Sequence, residues 1–463
     1  MNAIILTAVW GVVMMLAGAF LKNRNTAIYL AVAGLLISII STALELKGRE
    51  PFFAIDVKDM LHFTAYSLTF LVVMFVSTLL YFLLNGKDIV KVGNHPYEYF
   101  ALIFFILCGV SIVASFNTLL MLFIGIEIIS IPLYILTGAD KRNLKSNEAS
   151  LKYFLMGSFS TGIMLLGIAF LYGGNESASF YLSKMNLGIA KMPPLIAAGL
   201  VLLLVSLSFK VSAAPFHFWT PDVYDGAPTV FTSFMATVVK AASFFAFVRL
   251  FENAFGTIHD QWQKLIVIIT AATLLIGNLT AVFQQSVKRM LAYSSIAQAG
   301  FMLFALFALN DKAKEGLVMY AAAYSIATIG IFAILVRMKD YTIDGFNGLA
   351  KKQPLLALTA TIFLLSLTGI PLTAGFQAKF YMLLAAVKNG QQIWLVVFAV
   401  LCAAISAYYY FRVIQAMYFK ESDTVAVEET DITPAYKILL FVTGAIVVVL
   451  GIYPDLLIDW LWS

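Results

Sequence analysis

Charged side chains are scarce in this sequence. Asp, Glu, Lys and Arg make up 12% of its 463 residues, whereas soluble domains carry about 25%. Hydrophobic residues account for 61%, above the roughly 45–50% typical of soluble chains. This composition excludes an ordinary water-soluble globular protein and indicates a chain embedded in lipid.

Cysteine is nearly missing too, with Cys108 and Cys402 both in apolar runs. A disulfide framework or an iron–sulfur site needs more cysteines at defined spacing. The sequence also has no bis-histidine haem pair, no Walker lysine and no glycine fingerprint after a strand. No cofactor is therefore expected in this chain. Since no basic run marks an amphipathic face, nucleic acid is not an expected partner either.

Long apolar runs fill the chain and are joined by short connections. A membrane-spanning helix needs about 20 apolar residues, and about fourteen segments reach this length. The first, residues 4–21, lacks a basic leader and a cleavage site, so we interpret it as a retained span. The predicted fold class is an all-α polytopic membrane protein with about 14 transmembrane helices in one bundle.

Lysine and arginine are distributed unevenly between the two sets of connections. With the N-terminus outside, fifteen basic residues fall on the inner side and ten, Lys191 among them, on the outer side. Because cytoplasmic loops carry an excess of Lys and Arg, this count favours both termini on the outer side.

Only a few charged residues fall inside apolar spans. A lysine at the bilayer centre costs about 2.5–3.5 kcal/mol, so such positions call for an explanation. One acid cannot pair with several lysines, and this favours proton or cation translocation over two alternatives, structural ion pairs and a purely structural membrane scaffold. The in-span basic residues are Lys152, Lys210, Lys240, Lys379 and Arg412, and the acid is Glu127.

The physics of buried lysines predicts a proton relay. Burial disfavours the charged ammonium, and a nearby carboxylate favours it. At an effective dielectric near 20, a charge about 4 Å away is worth about 4 kcal/mol, more than the roughly 2.3 kcal/mol needed to move a proton against 100 mV. His217, near Lys210, is a further relay candidate, with a structural histidine as the alternative. Lys152 could instead reach the membrane surface, and Arg412 suits interfacial anchoring or a contact with another subunit.

Two spans are interrupted by proline. The seventh breaks at Pro215, just after Lys210, and the twelfth at Pro371, just before Lys379. Proline removes a backbone hydrogen bond, and in lipid the freed carbonyls need protein or water partners. Broken helices five spans apart run in opposite directions, so they predict two inverted five-helix repeats. Two unrelated kinks are the alternative.

Three motifs resemble one membrane protein family. They are APFHFWTPDVYDGAP at residues 214–228, KRMLAYSSIAQAG at 288–300 and GIPLTAGFQAK at 369–379. They are similar to the antiporter-like proton-translocating subunits of respiratory complex I and of multi-subunit cation/proton antiporters. The resemblance extends over residues 99–419. Within this family, the chain length and the segments EIISIPLY and ISAYYYFRV resemble the N-type branch.

The resemblance implies a role for each buried residue. Glu127 matches an acid on the fifth helix, and Lys210 matches the lysine on the broken seventh helix that this acid modulates. Lys240 matches a connecting lysine on the eighth helix. Lys379 matches the lysine near the exit route on the twelfth, where M-type subunits have Glu.

Three further positions are compared with the family in the same way. Lys152 matches a lysine on the sixth helix, and His217 matches a histidine beside the central axis. Gln298 departs from the family, whose members commonly have His there. Glutamine can hydrogen-bond but cannot titrate, so a proton would pass this point through water or bypass it.

The family also implies an organisation of the chain. Residues 1–98 would form an N-terminal three-helix segment, 99–252 the first repeat, 253–420 the second, inverted repeat, and 421–463 the C-terminal helix. The implied function is that of a proton-translocating membrane-arm subunit of NADH:quinone oxidoreductase. The alternative is the large subunit of a multi-subunit sodium/proton antiporter.

The implied partners are the lipid bilayer and other subunits of complex I. The neighbours would be the antiporter-like subunit M and the small subunit K. FMN, iron–sulfur clusters and quinone are expected in partner subunits, and the location would be a bacterial inner (plasma) membrane.

Overall fold

The structure is a computed structural model of a helical bundle. In the part of the chain it describes, extended segments meet only in isolated bridges between loops. This confirms the predicted fold class, an all-α polytopic membrane protein. The described residues are 1–53, 55–175, 178–185, 192–388, 390, 392–421 and 432–462.

The first six spans are continuous helices. Several begin at a Thr or Asn whose side chain accepts a hydrogen bond from a first-turn backbone N–H, as at Thr64, Thr118 and Asn143. These helices are α1 (Asn2–Phe20), α2 (Arg24–Leu46), α3 (Ala65–Val92), α4 (Pro96–Ser115), α5 (Leu119–Thr137) and α6 (Leu144–Gly174).

The seventh span is broken, as predicted. Its first half, α7 (Pro194–Lys210), ends at Lys210, and its second half, α8 (Trp219–Gly226), starts after the segment that contains Pro215. The indole of Trp219 donates to the Phe209 carbonyl at 3.0 Å. One of the carbonyls freed at the break is thereby satisfied within the protein.

The eighth span contains a local change of helix type. It consists of α9 (Thr229–Phe234), a π-helical turn (Met235–Val239) and α10 (Lys240–Phe255). Single π turns are rare and frequently lie at functional sites. Lys240 is the first residue after this turn.

The remaining spans include the second broken helix, in span twelve. The first half of this span ends at Thr368 and is followed by Gly369, which has a left-handed φ of 89° that suits glycine. The elements are α11 (His259–Val282), α12 (Val287–Met302), α13 (Phe304–Ala308), α14 (Asp311–Leu335), α15 (Leu349–Lys352), α16 (Pro354–Thr368), α17 (Ala374–Lys388), α18 (Ile393–Phe419), α19 (Pro434–Ile452) and α20 (Asp455–Trp462).

Fourteen spans result in the described chain when each interrupted pair of helices is counted once and the short helices α15 and α20 are left out, which matches the prediction. The core lies around α14, whose most apolar stretch of 18 residues is wholly buried. In the corresponding stretches of α1 and α2, only 22% and 39% are buried, so much of the surface of these two helices faces outward. The predicted repeat boundaries stay predictions, and residues 422–431, which fall in the predicted C-terminal segment, lie outside the described residues.

The connections fall on two opposite faces of the bundle. Arg24, Lys91 and Arg142 line one cleft on the face predicted to be inner. On the other face Arg249 donates to the carbonyls of His62 and Phe116 at 3.0 and 2.9 Å. Lys191 lies outside the described residues. Which face is cytoplasmic stays a prediction.

Some of the basic residues assigned to connections are buried, which the sequence interpretation did not predict. Arg337 is only 4% exposed and lies 3.1 Å from the buried Asp88 carboxylate. Buried Lys288 donates to the carbonyls of Asp225 and Ala227 at 2.8 and 2.7 Å. Hydropathy locates a helix end along the chain, but it does not reveal which other helices surround that end.

Gly375 lies where the two halves of the broken twelfth span pack against each other, and its substitution tests how close that packing is. Its N–H donates to Ser366 Oγ at 3.1 Å, and an added Cβ would lie 1.8 Å from the Ser366 carbonyl oxygen. Gly375→Ala should therefore push α17 away from α16 and lower the unfolding free energy by about 1–3 kcal/mol. The measurement is unfolding of the full chain in mixed micelles titrated with SDS.

Gly162→Ala is the matched control, because nothing lies within 4 Å of its added Cβ. It should leave stability unchanged or slightly higher, since alanine is the better helix former. Equal stability of the two variants would contradict the packing described for span twelve.

Candidate functional site

Lys210 is hydrogen-bonded to a serine on the helix that carries Glu127. The Lys210 ammonium donates to Ser130 Oγ at 2.9 Å, and this hydroxyl in turn donates to the Ile126 carbonyl at 2.7 Å. Glu127 lies on α5 one turn before Ser130 and accepts a hydrogen bond from Thr161 Oγ1 at 2.8 Å. The carboxylate is thus close enough to influence the ammonium electrostatically without forming an ion pair with it.

Lys240 lies in the centre of the bundle and is 2% exposed. Its ammonium donates to both the carbonyl oxygen and the hydroxyl of Ser295 on α12, each at 2.9 Å. The ring of Tyr224 lies 5.8 Å away, within the range of a cation–π interaction. Every one of these partners is electrically neutral.

Lys379 binds the end of the broken helix α16. Its ammonium donates to the carbonyls of Leu367 and Thr368 at 2.9 and 2.8 Å. These carbonyls form the last turn of α16, where the helix dipole is negative and favours a cation. The ring of Phe301 lies 4.7 Å from the ammonium.

The ammonium groups of half-buried Lys210 and of buried Lys240 and Lys379 share one property, which buried Lys288 has as well. Among the described residues, no carboxylate oxygen lies within 4 Å of Lys210, Lys240 or Lys379. The alternative reading of structural ion pairs therefore finds no such pair at these lysines. Their hydrogen-bond partners are hydroxyls and backbone carbonyls, which stabilise an ammonium less than a carboxylate does.

Gln298 connects Lys379 with a group of tyrosines. Its amide donates to the Leu367 carbonyl at 2.8 Å, the same oxygen that accepts from Lys379. Its amide oxygen accepts a hydrogen bond from Tyr320, and its nitrogen lies 3.4 Å from the Tyr410 hydroxyl, which is also bonded to Ser294. Gln298 is thus a node of neutral hydrogen bonds between α12, α14, α16 and α18.

Lys152 does not join this buried group. Its side chain is 42% exposed and lies 2.7 Å from Glu148 and 3.0 Å from Asp222. Asp222 is also paired with Arg289 at 3.0 Å. This exposure agrees with the alternative that Lys152 reaches the membrane surface, and its role in the proton relay stays a prediction.

His217 is buried in the segment between α7 and α8. It stacks on Phe218, with 4.5 Å between ring centroids, and its Nδ1 has no hydrogen-bond partner in the described protein. The buried hydroxyls of Ser208, Ser212 and Thr220 in the same region also have none. Buried polar groups are normally satisfied, so this region is suited to ordered water.

Arg412, on α18, lies against the C-terminal end of α11. Its guanidinium donates to the Val282 carbonyl at 2.8 Å and to Gln285 Oε1 at 3.2 Å. It thereby caps α11 from α18, since a cation suits a helix C-terminus. The predicted contact with another subunit stays a prediction.

The sequence analysis missed the direct partners of the lysines, Ser130 and Ser295. A signal existed for Ser130, which follows Glu127 by three residues and so shares its helix face. No comparable signal existed for Ser295, because its contact with Lys240 joins two distant parts of the chain. Among the described residues, no group of three or more His, Cys, Asp or Glu is arranged to hold a metal ion.

Comparison with known proteins identifies the family of this chain. The model of the family described as NADH:quinone oxidoreductase/Mrp antiporter, TM, matches residues 117–406. NADH-quinone oxidoreductase subunit N from Cytophaga hutchinsonii is 41% identical over 407 residues, which cover 86% of this chain and 87% of the relative. The chain belongs to the subunit N family of NADH-quinone oxidoreductase. Members of this family are subunits of a translocase.

Solved structures agree with this membership. A chain of respiratory complex I from Thermus thermophilus, solved with bound aureothin, matches with a TM-score of 0.84 and 32% identity, covering 99% of both chains. A chain of the Mrp complex from Dietzia matches with a TM-score of 0.85 but 19% identity, covering 99% of this chain and 96% of that one. The second likeness shows a shared fold alone.

Substitution of Gln298 tests whether this residue is a node of neutral hydrogen bonds between four helices. Gln298→Leu would leave the buried Tyr320 hydroxyl without its acceptor, so the unfolding free energy should fall by about 1–3 kcal/mol. Gln284→Leu is the control, because Gln284 is half-buried and donates one hydrogen bond, to the Thr280 carbonyl. Unfolding of the full chain in SDS-titrated micelles measures both. Equal losses would contradict the role of Gln298 as a node.

Proposed function

We propose that this chain is a proton-translocating membrane-arm subunit of NADH-quinone oxidoreductase. Protons pass along a buried axis formed by Glu127, Lys210, His217, Lys240 and Lys379, coupled to quinone reduction in partner subunits. The observation that carries the proposal is that the ammonium groups of Lys210, Lys240 and Lys379 donate their hydrogen bonds to neutral hydroxyls and carbonyls. The family membership supports it.

The absence of a paired carboxylate lets each lysine change its protonation state. A buried ion pair holds its proton because removing one charge leaves the other uncompensated. A hydroxyl or carbonyl partner imposes no such penalty, since it stays satisfied or turns to another group when the amine is neutral. Lys210, Lys240 and Lys379 are all in this second situation.

Glu127 acts on Lys210 at short range. Because the Lys210 ammonium donates to Ser130 and the Glu127 carboxylate accepts from Thr161, the carboxylate favours the ammonium without fixing it. A change in the charge or position of Glu127 then shifts Lys210 between holding and releasing a proton. The unpartnered groups around His217 provide the polar surroundings through which a released proton moves toward Lys240.

The second half of the axis runs along α12. Ser295, the partner of Lys240, lies one turn before Gln298, and Gln298 shares the Leu367 carbonyl with Lys379. Because Gln298 cannot titrate, it orients its neighbours, and the proton is carried by hydroxyls and water. The hydroxyls of Tyr320 and Tyr410 are placed for this role.

Partner subunits supply the driving force in this proposal. FMN, iron–sulfur clusters and quinone belong to those subunits, and the direct neighbours are subunits M and K. The chain lies in a bacterial inner membrane with both termini outside. The sodium/proton antiporter alternative shares the fold of the Mrp chain and the family model, which covers both classes of protein, but the relative at 41% identity is a subunit N.

Lys240→Met tests the proposal. The variant should assemble, because methionine fills the same space without a charge, but it should lower the proton-to-electron ratio of the complex in vesicles. Lys264→Met is the control, since Lys264 is exposed on α11, and it should pump normally. An assembled Lys240→Met complex with the full ratio would refute the proposed axis.

The same preparation tests the class of protein. Mild-detergent purification followed by subunit identification should recover an NADH-oxidising hydrophilic arm together with this chain. Recovery of small membrane subunits alone would instead favour the antiporter.

A further inference from the structure

A cleft opens on the predicted inner face, away from the proposed proton axis. It lies where the start of α2, the α3–α4 connection and the α5–α6 connection meet, and its volume is about 410 Å³. The Tyr97 hydroxyl donates to the Asn23 carbonyl at 2.7 Å and so holds the α1–α2 turn beside it. Three separate parts of the N-terminal half of the chain therefore build one concave surface.

The cleft is strongly basic. Arg24, Lys91, Lys141 and Arg142 line it, and the only carboxylate among the described lining residues is Asp140. Neither Lys141 nor Arg142 lies within 4 Å of a described carboxylate, and both are exposed. Four cations around one acid produce a positive potential that attracts anions.

Backbone groups add to this preference. The helix α4 begins at the cleft, and its N-cap residue His95 makes no capping hydrogen bond but lies 3.2 Å from the carboxylate of Glu98 in the first turn. The uncapped N–H groups of this turn favour an anion such as phosphate, and the Glu98 carboxylate offsets part of that preference. The arginine side chains suit phosphate oxygens as well, because they can donate two parallel hydrogen bonds.

The surface next to the cleft is apolar. Phe20 and Leu21, at the end of α1, are 81% and 42% exposed, and Leu16 one turn earlier is 57% exposed. These residues precede Arg24 in the chain and lead from the cleft along the outward face of α1. A ligand with a phosphate head and hydrocarbon tails fits both surfaces, whereas free phosphate uses only the first.

We propose that this cleft binds the headgroup of an anionic phospholipid, with the acyl chains lying along α1. Basic pockets between transmembrane helices on the cytoplasmic side bind such headgroups in membrane proteins generally. The site is independent of the proton axis, because none of its lining residues belongs to that axis. It gives the N-terminal three helices, which have little buried surface of their own in α1 and α2, a specific lipid contact.

Native mass spectrometry of the purified complex tests this site. The complex is titrated with dioleoylphosphatidylglycerol, with dioleoylphosphatidylcholine as the lipid of zero net charge, and separately with inorganic phosphate. The test variant is Lys141→Gln/Arg142→Gln. Since each basic residue near a membrane surface contributes about a fivefold gain in affinity for anionic lipid, the double variant should bind phosphatidylglycerol roughly thirtyfold more weakly.

A second double variant controls for the lost charge. Lys339→Gln/Lys437→Gln removes two cations near Arg337, outside the cleft on the same face, and should bind phosphatidylglycerol as the wild type does. The same spectra report subunit composition, so misfolding or incomplete assembly is detected directly.

Four results would overturn the proposal. One is equal retention of phosphatidylglycerol by the test variant and the wild type, and another is equal retention of the two lipids by the wild type. Binding of inorganic phosphate that competes with the lipid and matches it in affinity would assign the cleft to free phosphate. Loss of a neighbouring subunit from the test variant, with lipid retention unchanged, would assign it to an acidic protein segment.

Discussion

Buried ammonium groups without a carboxylate partner are the constraint around which this bundle is organised. Each costs about 2.5–3.5 kcal/mol at the membrane centre, and an ion pair would offset part of that cost. The same chain does pair a buried charge elsewhere, in Arg337 with Asp88 at 3.1 Å. Lys210, Lys240 and Lys379 have neutral partners instead, a property that they share with the buried Lys288 at the α8–α9 connection. Their surroundings tolerate both protonation states.

The broken helices and the lysines depend on each other. A break in a membrane helix frees carbonyl groups that need partners, and an ammonium is a strong donor to them. Lys379 satisfies two carbonyls at the end of α16, and Lys210 is itself the last residue of α7. Both breaks thus place a cation at the negative end of a half-helix. The break in the twelfth span in turn keeps two carbonyls within reach of Lys379.

The sequence allowed the framework to be predicted because hydropathy and proline act locally. The fourteen spans, the two broken helices and the depth of Lys240 all follow from patterns within one stretch of chain. Burial of Arg337 and exposure of Lys152 could not be derived this way, since both depend on how helix ends pack against distant helices. The π turn before Lys240 and its contact with Ser295 depend on tertiary structure for the same reason.

A carboxylate introduced beside Lys240 tests the account most directly. In Ser295→Asp the new group lies where the serine hydroxyl now accepts from the ammonium at 2.9 Å, and Ser295→Asn provides a neutral side chain of the same shape. The measurement is the proton-to-electron ratio of the assembled complex in sealed vesicles. The account predicts a lowered ratio for the Asp variant alone, because the ion pair fixes the proton on Lys240. A wild-type ratio in an assembled Asp variant would contradict it.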